Sequence, residues 1–140
     1  MSVRLMRAFY SRLSADTGGS TNDLRTAVND RIFAMEAPAS SALPLVIYNF
    51  MGIDTSNDFD GNTMTQATVE VSIFQKTEAG VDALASIEEK AYNLLNDQNV
   101  SATGFDRAYI RSVARGTPLI EGEYMRSDST FIIEGTDLVS

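Results

Sequence analysis

This 140-residue chain contains no cysteine and no histidine. Without cysteine the chain has no disulfide, no thiolate metal ligand and no thiol nucleophile. Without histidine it lacks the commonest general base and metal ligand. These absences exclude most catalytic constellations, so we expect a protein that is not an enzyme and that needs neither a cofactor nor a metal.

Long apolar runs are missing as well, since no segment approaches the roughly 20 residues that a membrane-spanning helix requires. The first residues also lack the uninterrupted apolar core of a secretory signal. A chain of this length is expected to form one domain, residues 1–140, and to bury roughly 70% of the surface that its unfolded form exposes. We therefore expect a soluble protein that is made in the cytoplasm and has no membrane partner.

Positive charge is scarce and unevenly placed. The chain has 11 basic and 19 acidic residues and a net charge of −8, which argues against a generic nucleic-acid binder. Residues 1–31 nevertheless carry a net charge of +2, and the rest of the chain carries −10. Surfaces of opposite sign favour oriented self-association.

Two amphipathic helices are predicted. In the first, one face carries Val3, Met6, Tyr10 and Leu13, and the other carries Arg4, Ala8 and Ser11. The second is a long helix, Glu78 to Asp97, whose apolar stripe consists of Val81, Leu84, Ile87, Ala91, Leu94 and Leu95. We expect this long helix to lie flat on a sheet.

The sheet is predicted from several strand-like segments. Between Ala67 and Ile73 apolar residues alternate with polar ones, the period of two of a half-buried strand. Further strands are predicted at 31–35, 45–51, 108–115 and 123–134, with a loop at 97–104 and a turn at 116–122. The expected fold is α+β: a mainly antiparallel sheet of about four to five strands packed against an N-terminal helix and one long amphipathic helix.

The polar stretch from Asp54 to Asn62 predicts a hairpin with a long exposed tip. Its residues from Ser56 onward are similar to a calcium loop, but Ser56 holds the first ligand position and Ala67 the twelfth, where a bidentate glutamate is required. A solvated hairpin tip is the simpler interpretation.

Within this tip an aromatic residue, Phe59, lies between Asp58 and Asp60. Its side chain either folds back onto the protein or meets another surface. The second interpretation makes Asp58, Phe59 and Asp60 candidate interface residues.

Four further charged residues are candidates for contacts between copies: Glu88, Arg111, Arg115 and Arg126. Glu88 flanks the apolar stripe of the long helix, where a carboxylate either reaches solvent or pairs with an arginine of a neighbouring subunit. The three arginines lie on the two late strands, where such charges either discourage edge aggregation or join acidic surfaces of neighbouring copies. Replacing Arg111 and Arg115 by glutamate is expected to weaken assembly and to leave the monomer folded.

The order of these segments resembles that of the tail-terminator, or tail-completion, proteins of long-tailed bacteriophages. The resemblance rests on the N-terminal helix, a proline-bearing connector, the C-terminal hairpin and four stretches of sequence. These are RIF at Arg31–Phe33, LPLVIY at Leu43–Tyr48, ATVEVSIF at Ala67–Phe74 and TEAGVDALASIEEKAYNLL from Thr77. It spans nearly the whole chain but carries no catalytic motif.

The resemblance implies an α+β subunit of a six-membered ring in the virion, at the junction of tail and neck. Such a ring is assembled in the host cytoplasm, stops growth of the tail tube and meets the head connector or stopper protein. Its partners would be further copies of itself, the major tail tube protein and the connector. DNA would pass through without specific binding, which the acidic balance favours.

Two alternatives from other classes stay open. One is another phage neck or tail component, such as a head-closure protein or a tube subunit, and a tube subunit would polymerise into long cylinders. The other is a small ligand-binding α+β domain unrelated to virions, for which a deep apolar pocket is expected.

Overall fold

The computed structural model describes residues 2–15, 23–57 and 63–137. Helices in these ranges are α1, Ser2–Leu13; α2, Leu24–Ala27; and α3, Val81–Leu95, which follows a 3₁₀ turn at Thr77–Ala79. None of these described helices is long and apolar enough to cross a membrane. The strands are β1, Ile32–Ala34; β2, Leu45–Asn57; β3, Thr63–Lys76; β4, Gln98–Val100; β5, Phe105–Ala114; β6, Leu119–Glu121; and β7, Tyr124–Asp137.

These strands form one sheet in the order β1-β2-β3-β7-β5-β4, with β6 beside the start of β7. β1 runs parallel to β2, whereas the other pairs are antiparallel. The register shifts once in β2, between Phe50 and Gly52, and twice in β5. Bulges of this kind bend a strand and increase its twist, and the sheet is curled into a half-barrel.

The predicted fold, a mainly antiparallel sheet of about four to five strands with one long helix, is wrong. The sheet is mixed, has seven strands and dominates the structure, and the helices are small. Strands β4 and β6 lie in segments predicted as a loop and a turn, and with three residues each they are too short to show an alternating pattern. The long helix was predicted to begin at Glu78. Gly80 has a φ of +90°, which is outside the helical region, so α3 begins only at Val81.

One face of the sheet carries the core. Ala67, Val69, Val71 and Ile73 of β3 are all buried, which confirms the alternation in that strand. Helix α3 packs on β3, β5 and β7 through five buried residues: Leu84, Ile87, Ala91, Leu94 and Leu95. The first residue of the predicted stripe, Val81, is exposed instead.

Helix α1 has apolar residues on two faces, and the core takes the face that the sequence pattern did not select. The buried residues of α1 are Leu5, Ala8, Phe9 and Leu13. Of the apolar face that the sequence pattern identified, only Leu13 lies in the core, whereas Val3 and Tyr10 are exposed and Met6 is half-buried. A strip of apolar surface is therefore left along α1.

Candidate assembly surfaces

The first predicted site residue, Glu88, has its partner within the same chain. It is a buried residue of α3, and Arg115, which follows β5, holds it with two hydrogen bonds. Arg115 Nη2 donates to Glu88 Oε1 at 2.6 Å, and Arg115 Nε donates to Oε2 at 3.2 Å. The guanidinium carbon also lies 4.0 Å from the ring centroid of Tyr92. The hydrogen bond to Glu88 raises the pKa of Arg115, and the two hydrogen bonds tie the end of β5 to α3.

The other two predicted arginines differ in their surroundings. Arg126, on β7, lies 3.1 Å from Asp128 and 3.8 Å from Glu121, measured between side-chain nitrogen and oxygen atoms. Arg111, on β5, is half-buried and makes no ion pair among the described residues. The structure therefore brings Glu88 and Arg115 together, places Arg126 in a local acidic cluster and leaves Arg111 without an acidic partner in the described part of the chain.

The remaining predicted residues, Asp58, Phe59 and Asp60, lie outside the described residues. Strand β2, which leads to them, ends in an exposed arm, which we define as residues 51–57. All seven residues of the arm are exposed, and Met51 and Ile53 are 60% and 44% exposed. Because β1 pairs with β2 only from Val46 to Tyr48, the outer edge of the arm has no neighbouring strand among the described residues. Such an edge is able to pair with another chain.

A surface that the sequence analysis missed lies along α1. The exposed strip of this helix and Tyr48 of β2 enclose an open groove of about 440 Å³, here called the α1 groove. Its lining residues are Val3, Met6, Arg7, Tyr10, Ser11 and Tyr48. The rings of Tyr10 and Tyr48 lie 5.8 Å apart, and burial raises the pKa of Tyr48. The apolar residues on both faces of α1 were the sequence signal for this surface.

A second missed surface lies where β6 turns into β7. Leu119 and Ile120 of β6 are 52% and 59% exposed, and Gly122 provides the positive φ of the turn. The turn is fixed to the body of the protein because Thr77 donates to the backbone oxygens of Gly122 and Glu123, at 2.9 and 3.0 Å. We call residues 119–124 the β6–β7 corner.

Beside the β6–β7 corner lies an open groove of about 610 Å³. Its lining residues are Leu43, Lys76, Thr77, Glu78, Glu123 and Tyr124. Two carboxylates face one ammonium group here, so the groove has an acidic excess. The described residues contain no group of three histidine, cysteine or acidic side chains that could hold a metal ion. The β6–β7 corner thus combines exposed apolar residues with neighbouring charged groups, a composition that is suited to contacts with another protein.

An ionisation test is available at the edge of the sheet, where Tyr109 donates a hydrogen bond to Asp97. This bond raises the pKa of Tyr109 above its ordinary value of 10.0. The neutral phenol is therefore favoured by folding: its contribution to stability is complete below pH 10 and is lost as the pH rises through the raised pKa. Replacing Asp97 by asparagine should lower the pKa of Tyr109 towards 10.0.

The measurement is an alkaline titration of phenolate absorbance, in which Tyr109→Phe identifies the signal of Tyr109 by difference. Equal midpoints for the wild type and Asp97→Asn would contradict the assigned hydrogen bond.

Comparisons with known proteins concern the fold. The sequence matches no protein family model and no curated protein. The structure is similar to a chain of a solved structure described as "Virion of native gene transfer agent (GTA) particle", with a TM-score of 0.74, 16% sequence identity and coverage of 96% of each chain. A second solved structure has a TM-score of 0.68 and 15% identity, over 100% of this chain and 99% of the other. At such identities the likeness is one of fold.

Proposed function

We propose that this chain is a structural component of a phage-like virion and, within it, the subunit of a ring that terminates the tail tube. One observation carries the proposal: the fold is shared, over 96% of both chains, with a chain of a gene transfer agent virion. The role is non-catalytic, and the partners are further copies of the chain, the tail tube protein and the head connector.

The distribution of exposed apolar residues supports an assembly role. The α1 groove, the arm of β2 and the β6–β7 corner each expose such residues, and Met35, Val81 and Val113 are exposed elsewhere. A closed ring is built by head-to-tail contacts, and each subunit then needs two different contact surfaces. Several distinct exposed regions on one small subunit are consistent with neighbours in the ring and with partners above and below it.

The net negative charge of the chain supports a position around the path of the DNA. A ring at the junction of tail and neck surrounds the path of the DNA, and a net charge of −8 disfavours tight binding to the phosphate backbone. We therefore propose that DNA passes through the ring without specific binding.

The test is negative-stain electron microscopy of the purified protein, alone and mixed with preformed tubes of its candidate tail protein. The proposal requires six-fold rings or tube ends that are capped and no longer grow. Long cylinders of the protein alone would identify a tube subunit instead. A persistent monomer that leaves tube ends bare and growing would reject the proposal.

A further inference from the structure

The α1 groove is an apolar surface with a positive charge. Helix α1 contains three arginines and no acidic residue. Arg12 donates to the backbone oxygen of Leu94 at 2.7 Å, and Arg4, which is exposed, lies beside Gly104 and does not line the groove. Arg7 is exposed in the groove and makes no ion pair with a described residue. The groove therefore offers an apolar strip and one available guanidinium group.

The β6–β7 corner has the complementary composition. Leu119 and Ile120 are exposed next to the turn, and Glu123 at the turn makes no ion pair with a described residue. Glu78 adds a second exposed carboxylate beside it. The corner is already rigid because Thr77 holds the turn, so little conformational entropy is lost when it binds.

The two surfaces lie apart on the same chain. Tyr48, in the α1 groove, is paired with Val71 of β3, whereas Tyr124, in the corner, is paired with Lys76. Val71 and Lys76 are five positions apart on β3, which is roughly 16 Å at the rise of a strand. Tyr124 also contacts Phe74, on the face opposite to the core. The β6–β7 corner therefore lies away from the α1 groove of the same chain.

We propose that the β6–β7 corner of each subunit binds in the α1 groove of the next subunit, with Glu123 paired to Arg7. This inference rests on the proposed ring and assigns its head-to-tail contact. The occupant is a second copy because the same chain supplies both complementary surfaces, apolar against apolar and acidic against basic. Joining two different surfaces makes the contact heterologous, as a closed ring requires.

The experiment uses two charge reversals on the full chain, Arg7→Glu and Glu123→Arg. Each variant alone brings like charges together at every contact, so self-association should weaken at least about tenfold. An equimolar mixture of the two variants should restore assembly. In the mixture the reversed corner of one variant meets the reversed groove of the other, and their unchanged surfaces also match.

Matched controls carry the same charge changes elsewhere on the exposed surface. Arg107→Glu on β5 and Glu89→Arg on α3 should associate as the wild type does, alone and when mixed. Circular dichroism and thermal unfolding check that each variant is folded. Sedimentation velocity over a range of concentrations measures association, and electron microscopy with tail tubes scores rings and capped ends.

The outcomes separate this contact from the proposed function. Single variants that form rings as the wild type does would overturn the contact, and capped tubes would still support the function. Rings in Arg7→Glu that no longer cap tubes would also overturn it, because the groove would then bind another virion protein. If each single variant fails to associate and their mixture does associate, but neither six-fold rings nor capped tubes form, the contact is supported and the tail role is rejected. A wild type that is monomeric alone and with tubes would reject both.

Discussion

Replacing Phe9 by alanine lowers the free energy of unfolding by about 3–5 kcal/mol, the largest loss that we expect from one substitution in this chain. Phe9 is fully buried, and its ring packs α1 against the aromatic residues of β2. Its ring centroid lies 6.2 Å from that of Tyr48 and 5.9 Å from that of Phe50. Alanine removes this apolar contact and leaves a cavity between helix and sheet, which the long paired strands cannot close by moving.

Urea unfolding followed by far-ultraviolet circular dichroism measures this loss. The matched control is Tyr10→Ala, the next residue of the same helix, which is exposed and should cost at most about 1 kcal/mol. A loss for Phe9→Ala that is no larger than the loss for Tyr10→Ala would contradict the packing described here. The comparison also tests the orientation of α1, because the sequence pattern favours Tyr10 as the buried residue of the two.

Replacing Arg115 by glutamate destabilises the monomer by about 1–3 kcal/mol. The substitution removes two hydrogen bonds and the contact with Tyr92, and it places a second carboxylate beside the buried Glu88. Breaking a fully buried ion pair costs more, but the side chain of Arg115 is 46% exposed, so solvent screens part of the effect. Arg115→Glu is therefore not a clean probe of assembly, since the monomer itself changes.

The matched control is Arg111→Glu, the same change at a residue with no ion pair among the described residues, which should alter stability by at most about 0.5 kcal/mol. Adding Glu88→Gln to Arg115→Glu should restore part of the lost stability, because it removes the repulsion between the carboxylates. Thermal or urea unfolding measures the stability of the wild type, the two single variants and the double variant. An equal effect of Arg111→Glu and Arg115→Glu, or no recovery with Glu88→Gln, would count against the ion pair.

The sequence correctly predicted the elements in which an apolar period repeats over enough residues to be recognised. Strand β3 alternates over seven residues and is buried as predicted, and the stripe of α3 from Leu84 to Leu95 faces the core. Periodicity failed for α1, which is apolar on two faces, because the pattern does not say which face meets the sheet and which stays outside. It also failed for β4 and β6, since three residues do not establish a period.

The candidate site was less accessible to sequence reasoning than the fold. Glu88 was correctly selected as a carboxylate at the margin of an apolar stripe, but neither of the two interpretations named Arg115 of the same chain as its partner. The two residues are 27 positions apart. Whether they meet depends on where β5 ends relative to α3, and the register of the sheet sets that position. The α1 groove was missed because the sequence does not say which apolar face of α1 stays outside, and the β6–β7 corner because the three residues of β6 do not establish a period.

The sequence by itself determined the absence of thiol and imidazole groups, the acidic charge and the positions of the longest strands and helices. These properties follow from residue types and from spacing along the chain, and both are local. The tertiary structure alone decided the seven-stranded order, the parallel pairing of β1 with β2, the pairing of Glu88 with Arg115 and the apolar surfaces that stay exposed. Each of these features depends on residues that are far apart in sequence. Their contacts form only when the sheet curls and one face of each helix packs against it.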